Sequence, residues 1–96
     1  MIITIGDVLT IKEDKYLVVE TARYEEKDYL FANKLLENEE LSKEYYVMKK
    51  TETGVLLVTD EKVLEVILPV FQNKIQKDIE KYNEQQEFEI DDNNNN

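Results

Sequence analysis

Ser42, the chain's single serine, is the hydroxyl that a nucleophilic mechanism would have to use, and nothing in the sequence activates it. It sits among charged residues, and the 96-residue chain holds no histidine to take its proton, so a serine triad cannot be assembled. Cysteine and tryptophan are absent as well. The commonest acid/base group, the thiol nucleophile and the soft-metal ligands are therefore missing together. Asp7 with Glu13 and Lys15 superficially matches the acid, acid, lysine pattern of metal-dependent nucleases, but such a spacing carries chemistry only where the three groups converge in a pocket. Glu87, Glu89, Asp91 and Asp92 offer carboxylates to a hard cation without the spacing of a calcium loop. With two glycines in the whole chain there is no phosphate-cradling loop, and no H-E-x-x-H motif occurs. No catalytic, cofactor-binding or metal-ligating residue is expected, and the chain reads as non-enzymatic.

Residues suited to binding a partner are plentiful. Six of the nine aromatics are tyrosine, a side chain that supplies contact area at little entropic cost. Tyr45 and Tyr46 are adjacent, so on a strand they point to opposite faces and cannot share one core. Tyr29 and Tyr46 are expected to serve as aromatic anchors. Glu25, Glu26, Glu37, Glu39 and Glu40 lie in turn-like stretches, where their charge reaches water, and they join the tyrosines as expected partner contacts.

The net charge is -10 and the isoelectric point about 4.4. A phosphate backbone would be repelled, and no basic stripe with interleaved aromatics appears, so direct nucleic-acid binding is not expected. A protein partner with a basic surface is. Half of the net charge lies in residues 83–96, which carry Glu84, Glu87, Glu89, Asp91 and Asp92, no base, and four terminal asparagines. With only Phe88 and Ile90 as large apolar groups, this segment is expected to be a disordered acidic tail, serving as a solubilising end or as a docking arm for a basic surface. Residues 1–82 then form a single domain. No apolar run approaches the ~20 residues needed to span a bilayer, and the opening Met1-Ile2-Ile3-Thr4-Ile5 lacks the basic region of a signal peptide, so a cytoplasmic location with no membrane partner is expected.

The elements that would position these residues read as strands followed by a helix. Val8–Ile11, Tyr16–Thr21, Asp28–Asn33, Tyr45–Lys49 and Val55–Val58 are runs rich in β-branched and aromatic residues, separated by short charged stretches, which predicts an antiparallel meander. Gly54 is expected to supply a positive-φ turn position. The stretch 34–43 is either a long loop or one or two helical turns. Alternation is poor, because Leu17, Val18 and Val19 are consecutive, as are Leu30, Phe31 and Ala32, so both faces of the sheet must be covered. The second cover is a curl of the sheet toward a small barrel, the Leu35–Leu41 segment folding back, or a second copy of the chain.

Thr59 and Asp60 provide N-cap chemistry, and Leu64, Leu68, Phe71, Ile75, Ile79 and Tyr82 follow at helical spacing. Lys74, Asp78 and Lys81 mark the opposite, solvated side. Pro69 inside the pattern removes the hydrogen bond to the Glu65 carbonyl, predicting a kink or two helices meeting there.

Ile5-Gly6-Asp7-Val8, Tyr16-Leu17-Val18-Val19, Asp28-Tyr29-Leu30-Phe31, the hairpin at Gly54 and the helix opened by Asp60-Glu61 together resemble a family of small acidic domain-of-unknown-function proteins of low-GC Gram-positive bacteria and their phages. The resemblance covers residues 5 to about 75, and the chain departs from it in its longer helix and asparagine tail. It implies a sheet-plus-helix fold, a bacterial or phage origin and no catalytic residues. The combined expectation is an α+β domain, a meander of about five short strands packed by a kinked C-terminal helix, acting as a protein-interaction or regulatory module. The alternative is a nucleic-acid mimic that inhibits a nuclease or another DNA- or RNA-binding protein.

Overall fold

The computed structural model describes residues 2–94, with side chains described as far as Asn83. Five antiparallel strands in simple meander order, β1 (Val8–Ile11), β2 (Asp14–Tyr24), β3 (Lys27–Leu35), β4 (Leu41–Lys50) and β5 (Val55–Leu57), form one sheet, and a single helix, α1 (Glu61–Asn94), follows. This is the expected α+β architecture.

The turns are built with few glycines. Lys12 opens the β1–β2 turn at φ +58°, and Glu25 and Glu26, both at positive φ (49° and 65°), make the two-residue β2–β3 turn. Asn and Gly usually take that left-handed backbone, which costs other residues about 1–2 kcal/mol each. Residues 34–43 contain no helix: β3 runs to Leu35, a short loop closes on the bond from the Leu36 N–H to the Glu40 carbonyl (2.9 Å), and β4 begins at Leu41. Gly54 lies in the expected hairpin, but its backbone is not left-handed. The turn is held instead by the Thr51 N–H donating to the Gly54 carbonyl (2.8 Å) and the Gly54 N–H to Thr51 Oγ1 (3.0 Å). The positive-φ glycine is Gly6 (φ 96°), in a turn closed by the Asp7 N–H on the Thr4 carbonyl and by the Thr4 N–H on Asp7 Oδ2.

Both sheet faces are buried, as the poor alternation requires. On one face Tyr16, Val18, Leu30, Ala32 and Met48 form a core joined by Leu9 and Ile11 of β1 and Val55 of β5. Residues from the two outermost strands meet in one cluster, because the sheet curls into a half-barrel. The other face carries Ala22, Tyr29 and Val47 against Ile67 and Phe71 of α1, with Phe31, Leu64 and Leu68 around them. The small Ala22 side chain leaves room for the helix to approach. The Leu35–Leu41 segment covers neither face; Leu36 and Leu41 are exposed.

Two irregularities set which residue faces which way. The β2–β3 register shifts between Val18 and Glu20, leaving Val19 as the extra residue of a bulge. Side chains alternate with period two, so one inserted residue reverses the parity of everything after it. Before the bulge Val18 lies in the inner core, and after it Ala22 faces the helix. The second shift, between Asn33 and Leu35, is stitched by the fully buried Asn33 side chain. Its amide donates to the Ser42 carbonyl (2.8 Å) and its oxygen accepts the Ser42 N–H (3.0 Å).

Asp60 caps α1, its Oδ1 accepting the Lys62 N–H (2.9 Å) and its carbonyl the Leu64 N–H (3.0 Å). The helix is unbroken through Pro69, which is exposed, so the carbonyl it frees on Glu65 can be satisfied by water. Two helices meeting at Pro69 are thereby ruled out. The helix also runs past the expected domain boundary at Tyr82, and residues 83–94 contain no glycine or proline and include the good helix formers Glu84, Gln85, Gln86 and Glu87. Asn95 and Asn96 lie outside the described residues. The buried stripe of α1 is Ile67 and Phe71, flanked by Val63, Leu64, Leu68 and Val70. Ile79 and Tyr82, expected to continue it, are exposed. At about 1.5 Å per residue α1 is about 51 Å long, against about 36 Å for β2, the longest strand, so the helix overshoots the sheet.

Candidate functional site

Where α1 leaves the sheet an open groove of about 510 Å³ remains between them, lined by Val19, Glu20 and Phe31 on the sheet side with Tyr45, and by Ile75, Asp78, Ile79 and Tyr82 on the helix. Its sheet wall is an aromatic stack that runs from core to surface. Phe71, buried to 1% exposure, stacks on Phe31 (centroids 5.4 Å apart), and Phe31 stacks nearly parallel on Tyr45 (5.1 Å, 8°), which is half exposed. Tyr45 is therefore held by the core rather than left free to rotate, and its area can be used in binding at low entropic cost.

The polar part of the groove is a carboxyl pair. Glu20 is 4% exposed, placed on the helix-facing side by the bulge at Val19, and its Oε1 accepts the Thr21 N–H (3.2 Å). Burial, first, pushes its carboxyl above the ordinary value of 4.5; the hydrogen bond with Asp78 and the Asp78 charge act the same way, while the Thr21 N–H and the Lys74 charge oppose them. Asp78, on the facing turn of α1, lines the same groove and is exposed.

Lys74 closes the adjoining sheet edge. β1 pairs only with Asp14–Leu17 of β2, and the backbone around Val18 is engaged by Gly6 and Asp7, so β2 beyond the bulge is a free edge. There the Lys74 ammonium donates to the Thr21 carbonyl (2.6 Å), covering an acceptor that would otherwise invite another strand. Lys74 and Asp78, expected to pair on a solvated face, instead stand over β2, and no ion pair joins them among the described residues.

The residues expected to meet a partner are not brought together. Glu25 and Glu26 stand at one end of β3 and Glu37, Glu39 and Glu40 at the other, about 30 Å apart for nine strand residues. Glu39 is held below the ordinary carboxylate range by its hydrogen bond and charge contact with Lys15 (2.6 Å), and Lys34 pairs with Asp14 (3.7 Å). Tyr29 is buried at 5% exposure in the helix-side core, which leaves it little area to offer a partner. Tyr46 is half-buried, meets Tyr16 edge to face, and donates its hydroxyl to Glu44 Oε1 (3.0 Å). That bond and the Glu44 charge raise its phenol above the usual range. Of the adjacent pair, Tyr45 is the outward residue. Sequence reasoning missed Glu20, whose only signal was its place after the unalternating Leu17–Val19 run, and took Tyr46 rather than Tyr45 as the anchor, although their adjacency had put them on opposite faces.

The chemical candidates are committed elsewhere. Ser42 Oγ donates to the Lys34 carbonyl and accepts the Glu44 N–H (3.0 Å), which makes it a strand fastener. Asp7 caps its own turn and Lys15 holds Glu39, so the acid, acid, lysine pattern does not converge. Among the described residues no group of three acids is placed to hold a metal ion; the side chains of Glu87, Glu89, Asp91 and Asp92 lie outside them. No helix among the described residues is long and apolar enough to cross a membrane. No family model, curated protein or solved structure matches the chain, so the resemblance drawn from the sequence pattern has no matched relative beside it.

Proposed function

We propose that the chain is a non-enzymatic interaction module, working in the cytoplasm, whose helix–sheet groove docks a segment of a protein with a basic surface. The observation that carries this reading is the groove itself. Exposed Tyr45, Ile79 and Tyr82 and half-buried Phe31 and Ile75 surround two carboxyls, on a chain of net charge -10. Aromatic side chains in a preformed cleft are where binding energy concentrates, and the surrounding acidity speeds the encounter with a basic partner. The nucleic-acid-mimic alternative draws less support, because its acids are divided between opposite ends of the sheet and one of them, Glu39, is paired with Lys15.

The test is affinity capture from a native lysate with the parent and with a Tyr45→Ala/Tyr82→Ala variant, at low and high salt, with and without competing nucleic acid. The reading expects a protein held by the parent, released as salt rises, and lost with the groove variant but kept with a Glu37→Gln/Glu39→Gln/Glu40→Gln variant. Equal capture by parent and groove variant, or displacement by nucleic acid, refutes it.

A further inference from the structure

The groove's two carboxyls come from different elements, Glu20 from β2 and Asp78 from α1, and line it together with Tyr45 and Tyr82. We infer that the groove reads one arginine side chain of its partner, the guanidinium seating between the Glu20 and Asp78 carboxylates while apolar neighbours of that arginine rest on Tyr45, Ile79 and Tyr82. This rests on the groove being the partner's seat and adds what is recognised there. Three features select the ligand class. A cation is needed, because the buried Glu20 and the exposed Asp78 both present carboxyls to one groove of a chain with net charge -10. A planar cation with several donors answers carboxylates on two sides at once, which a lysine ammonium does less well. The rim supplies Tyr45 and Tyr82, whose ring faces attract a guanidinium.

Lys74 does not already serve as that cation: it attracts Glu20 from a distance while its ammonium is bound to the Thr21 carbonyl. Besides Asp78 and Lys74 on α1 and the Thr21 N–H on β2, no other group perturbs Glu20. Burial and the neighbouring Asp78 hold the Glu20 carboxyl above its ordinary value, and an arriving guanidinium favours its ionised form, releasing the proton to solvent. Affinity therefore rises with pH as Glu20 ionises and levels off once that carboxyl is charged.

The experiment uses the full chain and three short synthetic peptides that differ at one central residue, arginine, lysine or norleucine, flanked by isoleucine, valine and tyrosine, with affinities read by fluorescence anisotropy. The arginine peptide is expected to bind at least about tenfold tighter than the norleucine peptide, with lysine between them. Glu20→Gln and Asp78→Asn should each remove most of that advantage, bringing the ratio of arginine to norleucine affinity toward one. Calorimetry in two buffers of different ionisation enthalpy should show proton release with the arginine peptide and none with norleucine. Equal affinity for arginine and norleucine, lost with Tyr45→Ala/Tyr82→Ala, overturns the arginine inference and leaves the groove as the seat. Failure of all three peptides to bind overturns the inference as well, and if capture of a native partner is also indifferent to the groove variant, the functional reading falls with it.

Discussion

Replacing Phe71 by alanine should separate the part of α1 that holds the fold from the part that is free to bind. Phe71 is 1% exposed and packs among Ala22, Tyr29, Val47 and Ile67, with its ring on Phe31. Fully burying a phenylalanine stabilises by about 1.5–3 kcal/mol at roughly 25 cal/mol per Å². The unfilled space left by truncation and the loss of the stacked pair bring the expected cost to about 3–5 kcal/mol. A domain of this length has about 5–14 kcal/mol in all, so the variant remains folded at low temperature, with its thermal midpoint lowered by tens of degrees. Ile79→Ala, two turns further along the same helix, removes a side chain that is 46% exposed and should cost about 0.5 kcal/mol or less while weakening partner binding. Urea unfolding followed by circular dichroism reads both, with midpoints shifted at constant slope. Similar small costs at Phe71 and Ile79 would show that the helix is not docked through Ile67 and Phe71, and the groove, which exists only because α1 is docked there, would lose its basis.

Asn33→Ala should destabilise by about 2–3 kcal/mol in the same assay, because it strips the Ser42 N–H and carbonyl of their buried partner; a neutral outcome would mean that water or a re-registered strand replaces the amide. Glu20→Gln should stabilise at neutral pH by an amount that shrinks on acidification. With the folded carboxyl raised above 4.5, the parent has its full stability below the unfolded pKa and loses it as pH rises through the folded one, so a gap between variant and parent that widened toward low pH would contradict the assignment. Glu25→Asn with Glu26→Gly should stabilise by about 1–2 kcal/mol by placing suitable residues at φ 49° and 65°, and a lowered thermal midpoint would argue against that turn geometry.

The sequence by itself determined which side chains the molecule has to work with. Missing histidine and cysteine, a scarcity of glycine and a strong acidic excess are properties of composition, and no folding restores absent chemistry. Strand and helix content was also legible, since β-branched runs, the helical spacing from Leu64 to Ile75 and the Asp60 cap act through neighbours a few residues apart. The unalternating Leu17–Val19 and Leu30–Ala32 runs even announced a sheet buried on both faces, which the half-barrel and the helix supply.

Which tyrosine faces out, and where a carboxylate is buried, was decided only in three dimensions. Periodicity says that Tyr45 and Tyr46 lie on opposite faces without saying which face is left uncovered, and that depends on where α1 outruns the sheet. The bulge at Val19 has no compositional signature, yet it reverses the facing of every later residue of β2 and so turns Glu20 toward the helix. Lys74 and Asp78 took their places through bonds or contacts to residues remote in the chain, as Lys74 does with Thr21. Such partners become neighbours only once the sheet has curled and the helix has settled on Ala22, and local patterning carries no record of that distance.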